Sequence, residues 1–287
     1  MKIERKWQRI LVALDESPES LSALETAVEL ALWMNAEVHG VFVEDEQLLH
    51  TASIPFTREI HFFGQTRKTF GASDIRRQFR LRQAKLRHLL EERAQESGLR
   101  WKFKVVQGDV SHEILNAAES ADLVSLGHRG HNRSRRQQHF GSTTQEILRQ
   151  NPGPILLNRP GVKIDKQVML VYDGTELADK ALEMAVHIAE VHHEPLHVLL
   201  VLPETSNESD PVVIHETMLE EMRTRFEPMA LEVHIATLEG PLTWNLPIWL
   251  KESGGGLLLL PMSPAVANTH HLSEFINHLP CPVLIVR

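Results

Sequence analysis

The chain has 287 residues, about twice the length of an average domain, so its length predicts two domains or one large α/β unit. Apolar residues make up 42% and charged residues 24%, which excludes disordered, collagen-like and coiled-coil proteins. The formal net charge of -8 argues against a protein built mainly to bind nucleic acid, because that affinity comes from a surplus of lysine and arginine.

The first half of the chain alternates short apolar runs with helical patterns. The unbroken apolar run at 10–14 is typical of a strand buried on both faces, and Ser17 followed by Pro18 predicts the start of a helix. Further strands are predicted at 37–43, 102–106, 123–126 and 155–157. Helices are predicted after residue 43, from about residue 111 and from about residue 142.

The second half repeats this order. The residues from Ile10 align without a gap with those from Val168, which places Asp15 on Asp173, and Thr175 takes the helix-capping position. A second match pairs 146–157 with 274–285, so the second copy is shorter in its middle. Strands are predicted at 168–172, 195–201, 232–236, 257–260 and 283–286.

The duplication predicts two tandem α/β domains. Each would be a doubly wound, five-stranded, mostly parallel sheet with helices on both faces. The predicted boundaries are 1–158 for the first domain, 159–166 for a linker and 167–287 for the second domain, because turn residues at 160–161 separate two apolar runs.

The carboxyl ends of the strands are the expected ligand site, as in other open parallel sheets. In the first copy, the fourth strand is followed by Gly127 and Gly130, ten further residues, and Gly141 at the start of a helix. Glycines let the backbone approach an anion closely, and helix N-terminal amides stabilise phosphate oxygens. Hydroxyls of Ser142 and Thr143 would add donors. A phosphate site is therefore predicted, although turn and helix-cap glycines alone would also explain the pattern.

Asp15 stands at the end of the first strand, where a carboxylate could accept hydrogen bonds from a ribose or an adenine amine. With the repeat and the glycine pattern, the chain resembles the universal stress protein family in its tandem two-domain form. That family has the five-stranded fold predicted above, of the HUP or adenine nucleotide alpha hydrolase-like type. Its nucleotide-binding members carry G-x2-G-x9-G-(S/T), so the resemblance implies that the first domain binds ATP or a related adenine nucleotide, with Mg²⁺ as a companion ion.

The resemblance also implies a set of contacts. Asp15 and the backbone around Val43 would contact the adenosine, and the glycine loop would hold the phosphates. The predicted binding residues are Ala13, Leu14, Asp15, Val43, Leu126, Gly127, His128, Gly130, Gly141, Ser142 and Thr143. Because ten residues rather than nine separate Gly130 from Gly141, and because the stretch 135–139 is polar, the loop must bulge or shift relative to the family pattern.

The second copy lacks the glycine pattern. Pro261 and Pro264 stand where Gly127 and Gly130 stand in the first copy. Proline has no amide to donate, so no phosphate cradle is predicted there. Asp173 remains, and a turn or helix-cap role explains it more simply than a ligand contact. The glycines at 254–256 precede a strand and predict a turn after a helix.

The histidines and arginines leave alternative interpretations of the ligand open. The glycine loop is basic, which suits a phosphate ligand but also a solvated loop. Histidine pairs at 128 and 131, 192 and 193, and 270 and 271 suggest Zn²⁺ as a less favoured ligand, since no third and fourth ligand follow at a recognised spacing.

A basic segment runs from Arg67 to Arg87, with Asp74 as its only acid. Ile75, Phe79, Leu86 and, just beyond the segment, Leu90 fall near one helical face. This favours a helix packed on the sheet with a solvated basic side over a surface for a membrane or a nucleic acid. Trp244, Trp249 and the lone cysteine, Cys281, are predicted to lie in the core.

The sequence lacks motifs for secretion, for membrane insertion and for catalysis. A single cysteine excludes an internal disulfide, no apolar run reaches the roughly 18 to 20 residues of a spanning helix, and the first ten residues lack a signal-peptide core, so a cytoplasmic protein is expected. Catalytic motifs such as a P-loop or a nucleophile elbow are lacking, so no enzyme is predicted.

The resemblance implies a nucleotide-responsive protein of the bacterial stress response, with a role in resistance to DNA-damaging agents. It also implies that the two domains pack as a pseudo-dimer through their last strands, and that whole chains form a homodimer. Two alternatives stay open: a nucleotide-independent scaffold for a protein or lipid partner, and a weak Mg²⁺-dependent ATPase.

Overall fold

The computed structural model describes residues 7–53, 72–128, 140–164, 167–201, 211–238, 240–262 and 272–287. The first half contains β1 (Arg9–Ala13), α1 (Pro18–Met34), β2 (Glu37–Asp45), α2 (Glu46–Ser53), α3 (Ala72–Glu96), β3 (Trp101–Gly108), α4 (Val110–Ala118), β4 (Leu123–Gly127), α5 (Ser142–Gln150) and β5 (Ile155–Asn158). The second half contains β6 (Val168–Tyr172), α6 (Glu176–His192), β7 (Leu196–Val201), α7 (Pro211–Phe226), β8 (Val233–Leu238), α8 (Leu242–Glu252), β9 (Leu257–Pro261), α9 (Leu272–His278) and β10 (Val283–Val286).

The first helix of each half begins at the predicted cap. The Ser17 side chain accepts a hydrogen bond from the Ser20 amide, and the Thr175 side chain accepts one from the Ala178 amide. Each cap satisfies an amide that the first helical turn leaves without a partner. Both helices end on a residue in the left-handed conformation, which is Asn35 after α1 and His193 after α6.

The ten strands in the described ranges form one continuous sheet in the order β3-β2-β1-β4-β5-β10-β9-β6-β7-β8. All pairs within a half are parallel, which confirms the predicted α/β fold of two five-stranded units. The units are joined where β5 and β10 pair antiparallel, with Leu156 opposite Leu284. Backbone hydrogen bonds therefore run across the junction between the two halves.

Helices cover both faces of the sheet. Buried residues of α1, α3, α6 and α7 belong to one apolar core, and those of α4, α5, α8 and α9 belong to the other. This arrangement follows from right-handed crossovers, which place helices on one face when the strand order moves one way and on the opposite face when it reverses. In the first half, the reversal lies between β1 and β4, so the carboxyl ends of these strands form the site that such sheets offer to ligands.

Two arginines tie the halves together beside the β5–β10 junction. Arg159 follows β5 and its guanidinium donates to the carbonyl of Asn277 in α9. Arg287 follows β10 and its Nη1 donates to the carbonyl of Asn151, at the end of α5, over 3.0 Å. Each arginine thus reaches a helix of the other half near its C-terminus, where a cation is favoured by the helix dipole.

The buried face of the basic helix is confirmed, since Ile75, Phe79, Leu86 and Leu90 on α3 are 8% exposed or less. Cys281 is also buried, as predicted, and burial raises the pKa of its thiol to about 12. Within the described ranges, no helix combines the length and the apolar character needed to span a membrane.

The prediction that Trp244 lies in the core is wrong. Its side chain is 75% exposed, whereas Leu242, Leu246 and Leu250 form the buried face of α8. Because these leucines recur at every fourth position, Trp244 and Ile248 fall on the opposite side of the helix. Trp249 is half-buried and packs against the core.

Candidate functional site

The carboxyl ends of β1, β2 and β4 bring most of the predicted binding residues to one edge of the sheet. Ala13 lies opposite Val41 of β2, and Val12 lies opposite Ser125 of β4, so the strands end side by side. This edge carries Ala13, Leu14 and Asp15 after β1, Val43 on β2, and Leu126, Gly127 and His128 at the end of β4. Gly130 and the rest of the loop at 129–139 lie outside the described residues.

The two ends of that loop meet. The Gly141 amide donates to the His128 carbonyl over 2.9 Å, and the Thr144 hydroxyl donates to the Gly127 carbonyl over 3.0 Å. The ring of Phe140 lies almost parallel to that of His128, with 5.7 Å between the ring centroids. The start of α5 is therefore fixed against the end of β4. Thr144 is a residue that the sequence interpretation missed, because its role depends on a carbonyl 17 residues earlier in the chain.

The N-terminus of α5 faces this edge with Gly141 as its N-cap. Glycine has no side chain to satisfy the amides of the first turn, which leaves that turn suited to an anion. Ser142 is exposed and Thr143 is half-buried in the same turn. Three of the predicted phosphate-binding residues thus share one helix start.

Gly127 is required by packing as well. A Cβ atom on Gly127 would lie 2.7 Å from the backbone carbonyl carbon of Glu19 in α1. Real Cβ atoms do not approach backbone so closely, so the end of β4 can pass the start of α1 only without a side chain. The structural reason for this glycine therefore includes a close approach to a helix of its own chain.

Asp15 lies half-buried in the turn between β1 and α1. Its Oδ1 accepts hydrogen bonds from the Ser17 amide over 3.0 Å and from the Ser17 hydroxyl over 2.5 Å. In the second half, Asp173 accepts from the amide and hydroxyl of Thr175 in the same way, as its predicted turn role requires. Asp15 and Asp173 thus make equivalent hydrogen bonds within their own turns, and the two halves differ in the residues around these turns.

Helix α3 reaches the same edge from the side, which the sequence did not reveal. The next residue after Asp15, Glu16, is held by Arg82 with an Nε–Oε2 distance of 3.3 Å and by Lys85 with an Nζ–Oε1 distance of 3.1 Å. The Gln83 amide also donates to the Glu44 carboxylate, immediately after Val43. Helical spacing does indicate which residues of α3 face outward, but it does not show which loop they meet.

The equivalent edge of the second half carries a different set of side chains. Tyr172 stands at the position of Leu14, is 4% exposed, and donates from its hydroxyl to Asp179 Oδ1 over 3.1 Å. Arg225 of α7 donates to the same oxygen over 2.7 Å. Pro261 ends β9 at the position of Gly127, and the glycines at 254–256 form the predicted turn with positive φ angles.

Tyr172 is the only tyrosine in the chain, so its titration is directly observable. Burial, reinforced by Asp179, raises its pKa from 10.0 to about 12. The folded state disfavours the ionised phenol. The contribution of Tyr172 to the free energy of unfolding is therefore fully present below pH 10 and is lost as the pH rises towards 12. Ultraviolet titration should therefore show no tyrosinate near pH 10 while the chain stays folded. A titration midpoint near pH 10 in the folded protein would show that Tyr172 is not buried beside Asp179. The Asp179→Asn variant should have a lower midpoint than the wild type, because Asp179 raises the pKa of Tyr172.

The histidine pairs in the sequence suggest Zn²⁺ as a less favoured ligand. Among the residues that the structure describes, no group of three or more His, Cys, Asp and Glu side chains is placed to hold a metal ion. The histidines at 131, 139, 270 and 271 lie outside those residues.

Comparisons with known proteins agree on one family. The sequence model of the universal stress protein family matches residues 6–159 and 166–231, more than half of the chain. The curated universal stress protein YxiE of Bacillus subtilis is 28% identical over 158 residues, which span 53% of this chain and 99% of the relative.

Solved structures show the same fold over nearly the whole chain. A universal stress protein from Archaeoglobus fulgidus superposes with a TM-score of 0.71 at 18% identity, covering 96% of this chain and 97% of the other. A putative universal stress protein from Pseudomonas aeruginosa superposes with a TM-score of 0.58 at 18% identity, covering 97% and 92% of the two chains.

Proposed function

The chain belongs to the universal stress protein family, and from that premise we propose that its first half binds an adenine nucleotide, with ATP as the leading candidate, at the carboxyl edge of its strands. The observation that carries the proposal is the contact between the Gly141 amide and the His128 carbonyl. This contact holds the N-terminus of α5 beside the end of β4. Amides and the positive end of the helix dipole at such a place stabilise phosphate oxygens.

The adenosine end of the nucleotide would lie towards β1 and β2. Asp15 offers a carboxylate at the end of β1, and Val43, a half-buried residue, would offer its backbone one strand away. A carboxylate and backbone groups are the partners that ribose hydroxyls and an adenine amine require. Mg²⁺ would accompany a triphosphate as a counterion to its charge.

The second half is proposed to bind no nucleotide. Tyr172 and its partner Asp179 occupy its edge, and Pro261 has no amide to offer where the first half has Gly127. One nucleotide per chain is therefore expected. The β5–β10 pairing supports a pseudo-dimer in which one half carries the ligand and the other half responds to it or supports it.

We propose a binding and regulatory role in the cytoplasmic stress response, extending to survival of DNA-damaging agents, rather than catalysis. Support comes from family membership and from the absence of catalytic motifs in the sequence. Incubation with Mg²⁺ and ATP should leave the nucleotide intact.

Thermal unfolding in the presence of nucleotide tests the proposal. A ligand at 100 times its dissociation constant should stabilise the folded chain by about 2.7 kcal/mol. The Asp15→Ala variant should lose much of this stabilisation, whereas Asp173→Ala, the same change at the matching position of the second half, should keep it. No shift in melting temperature at millimolar ATP would instead favour the nucleotide-independent scaffold, whereas equal loss of the stabilisation in both variants would contradict the assignment of the site to the first half.

A further inference from the structure

Glu16 has an unusual backbone for a residue with a long side chain. Its φ angle is 64°, in the left-handed region that favours glycine. At the matching position of the second half stands Gly174, with a φ of 76°. Both halves therefore make the same turn, but the first half uses a residue that disfavours it, which indicates that the Glu16 side chain contributes something that glycine lacks.

That contribution is a link to α3. The carboxylate of Glu16 is only 17% exposed and lies within 3.3 Å of Arg82 Nε and 3.1 Å of Lys85 Nζ. Arg82 is itself 28% exposed, so this pair is shielded from solvent more than an ordinary surface ion pair. The two cations hold the turn that contains Asp15.

The same turn of α3 also holds the neighbouring strand. Gln83 donates to the Glu44 carboxylate, and Glu44 directly follows Val43. Three residues in one stretch of helix thus fix the two chain segments that would contact an adenosine.

Positive charge alone does not explain these contacts. Arg76, Arg80 and Arg87 lie on the opposite flank of α3, are exposed, and form no ion pair with any carboxylate that the structure describes. A helix that was merely basic would show no preference for one flank. The position of Arg82 and Lys85 on the flank towards Glu16 is what creates the link.

We propose that α3 is the positioning element for the adenosine end of the nucleotide site. Arg82 and Lys85 fix the Glu16 turn and with it Asp15, and Gln83 fixes Glu44 and with it the backbone at Val43. The role rests on the proposed nucleotide site, because it assigns α3 to the organisation of that same site.

The test compares two double variants of the full chain that remove the same charge from the same helix. Arg82→Ala with Lys85→Ala breaks the link, and Arg76→Ala with Arg80→Ala leaves it intact. In nucleotide-free protein, amide hydrogen exchange over residues 15–17 should be faster in the first variant alone. The dissociation constant for ATP should rise about three- to tenfold in that variant, while the control stays near the wild type.

Two further variants separate positioning from folding. Arg82→Lys with Lys85→Arg keeps both charges and should restore ATP affinity and slow exchange. Glu16→Gly keeps the left-handed turn but lacks the carboxylate, so it should weaken ATP binding without lowering the melting temperature.

Unchanged exchange at residues 15–17 in the link-breaking variant would overturn the proposal whatever the binding data show. Equal weakening of ATP binding in both double variants would also overturn it, in favour of general attraction between a basic helix and phosphates. If the wild type binds no nucleotide, the proposed function fails and the positioning role fails with it, and the exchange data then show separately whether the link itself exists.

Discussion

Replacing Gly127 with alanine is expected to lower the free energy of unfolding by about 2 kcal/mol and to weaken nucleotide binding more than tenfold. The added Cβ would lie 2.7 Å from backbone and side-chain carbon atoms of Glu19, so α1 must move away from β4 to admit it. That movement displaces the start of α1 and the end of β4, which together form the proposed site. Urea unfolding and a nucleotide titration measure the two effects.

Gly153→Ala is the matched control for this change. A Cβ at Gly153 would have its nearest neighbour at 3.6 Å, an ordinary contact, so the substitution should change the unfolding free energy by less than about 0.5 kcal/mol. If Gly127→Ala proves as stable as Gly153→Ala, the close approach of β4 to α1 is not as described.

Replacing Leu156 with alanine is expected to lower the free energy of unfolding by about 3 kcal/mol, because the side chain is fully buried and its loss leaves a cavity. Leu156 lies in β5 opposite Leu284 of β10, at the junction of the two halves. Since one sheet crosses this junction, the whole chain should unfold in a single transition, and Leu156→Ala should lower the midpoint of that transition. Circular dichroism and tryptophan fluorescence should report the same midpoint.

Leu81→Ala provides the comparison, since Leu81 on α3 is 64% exposed and its loss should have little effect. Two separate transitions, of which only one responds to Leu156→Ala, would show that the halves unfold independently and that the junction contributes little to their stability.

The strands and the helix starts were predictable because local sequence determines them. The run at 10–14 is apolar because β1 is covered on both faces, and Ser17 and Thr175 cap helices through contacts three residues away. No local sequence pattern predicts the β5–β10 pairing, and only the family resemblance implies that the last strands meet. Strands pair through backbone groups that every residue carries, so apolar runs do not show which edges meet.

The candidate site was predictable in part for the same reason. Sequence order places Asp15 and Gly127 after strands, and parallel strands end at one edge. The contacts of Glu16 with α3 were not predictable, because they join residues more than 60 positions apart in the sequence. Trp244 was misplaced because it alternates with the apolar residues Leu242 and Leu246 in the sequence, whereas in the helix it lies on the side that faces solvent.

Calorimetric titration of ATP into the intact chain tests the central claim most directly. One nucleotide should bind per chain, because the first half has the glycine-bounded helix start and the second half has Pro261 and a buried tyrosine. Binding should be strongly weakened in Asp15→Ala and kept in Asp173→Ala. No binding heat at millimolar ATP, or two nucleotides bound per chain, would contradict the assignment of a single nucleotide site to the first half.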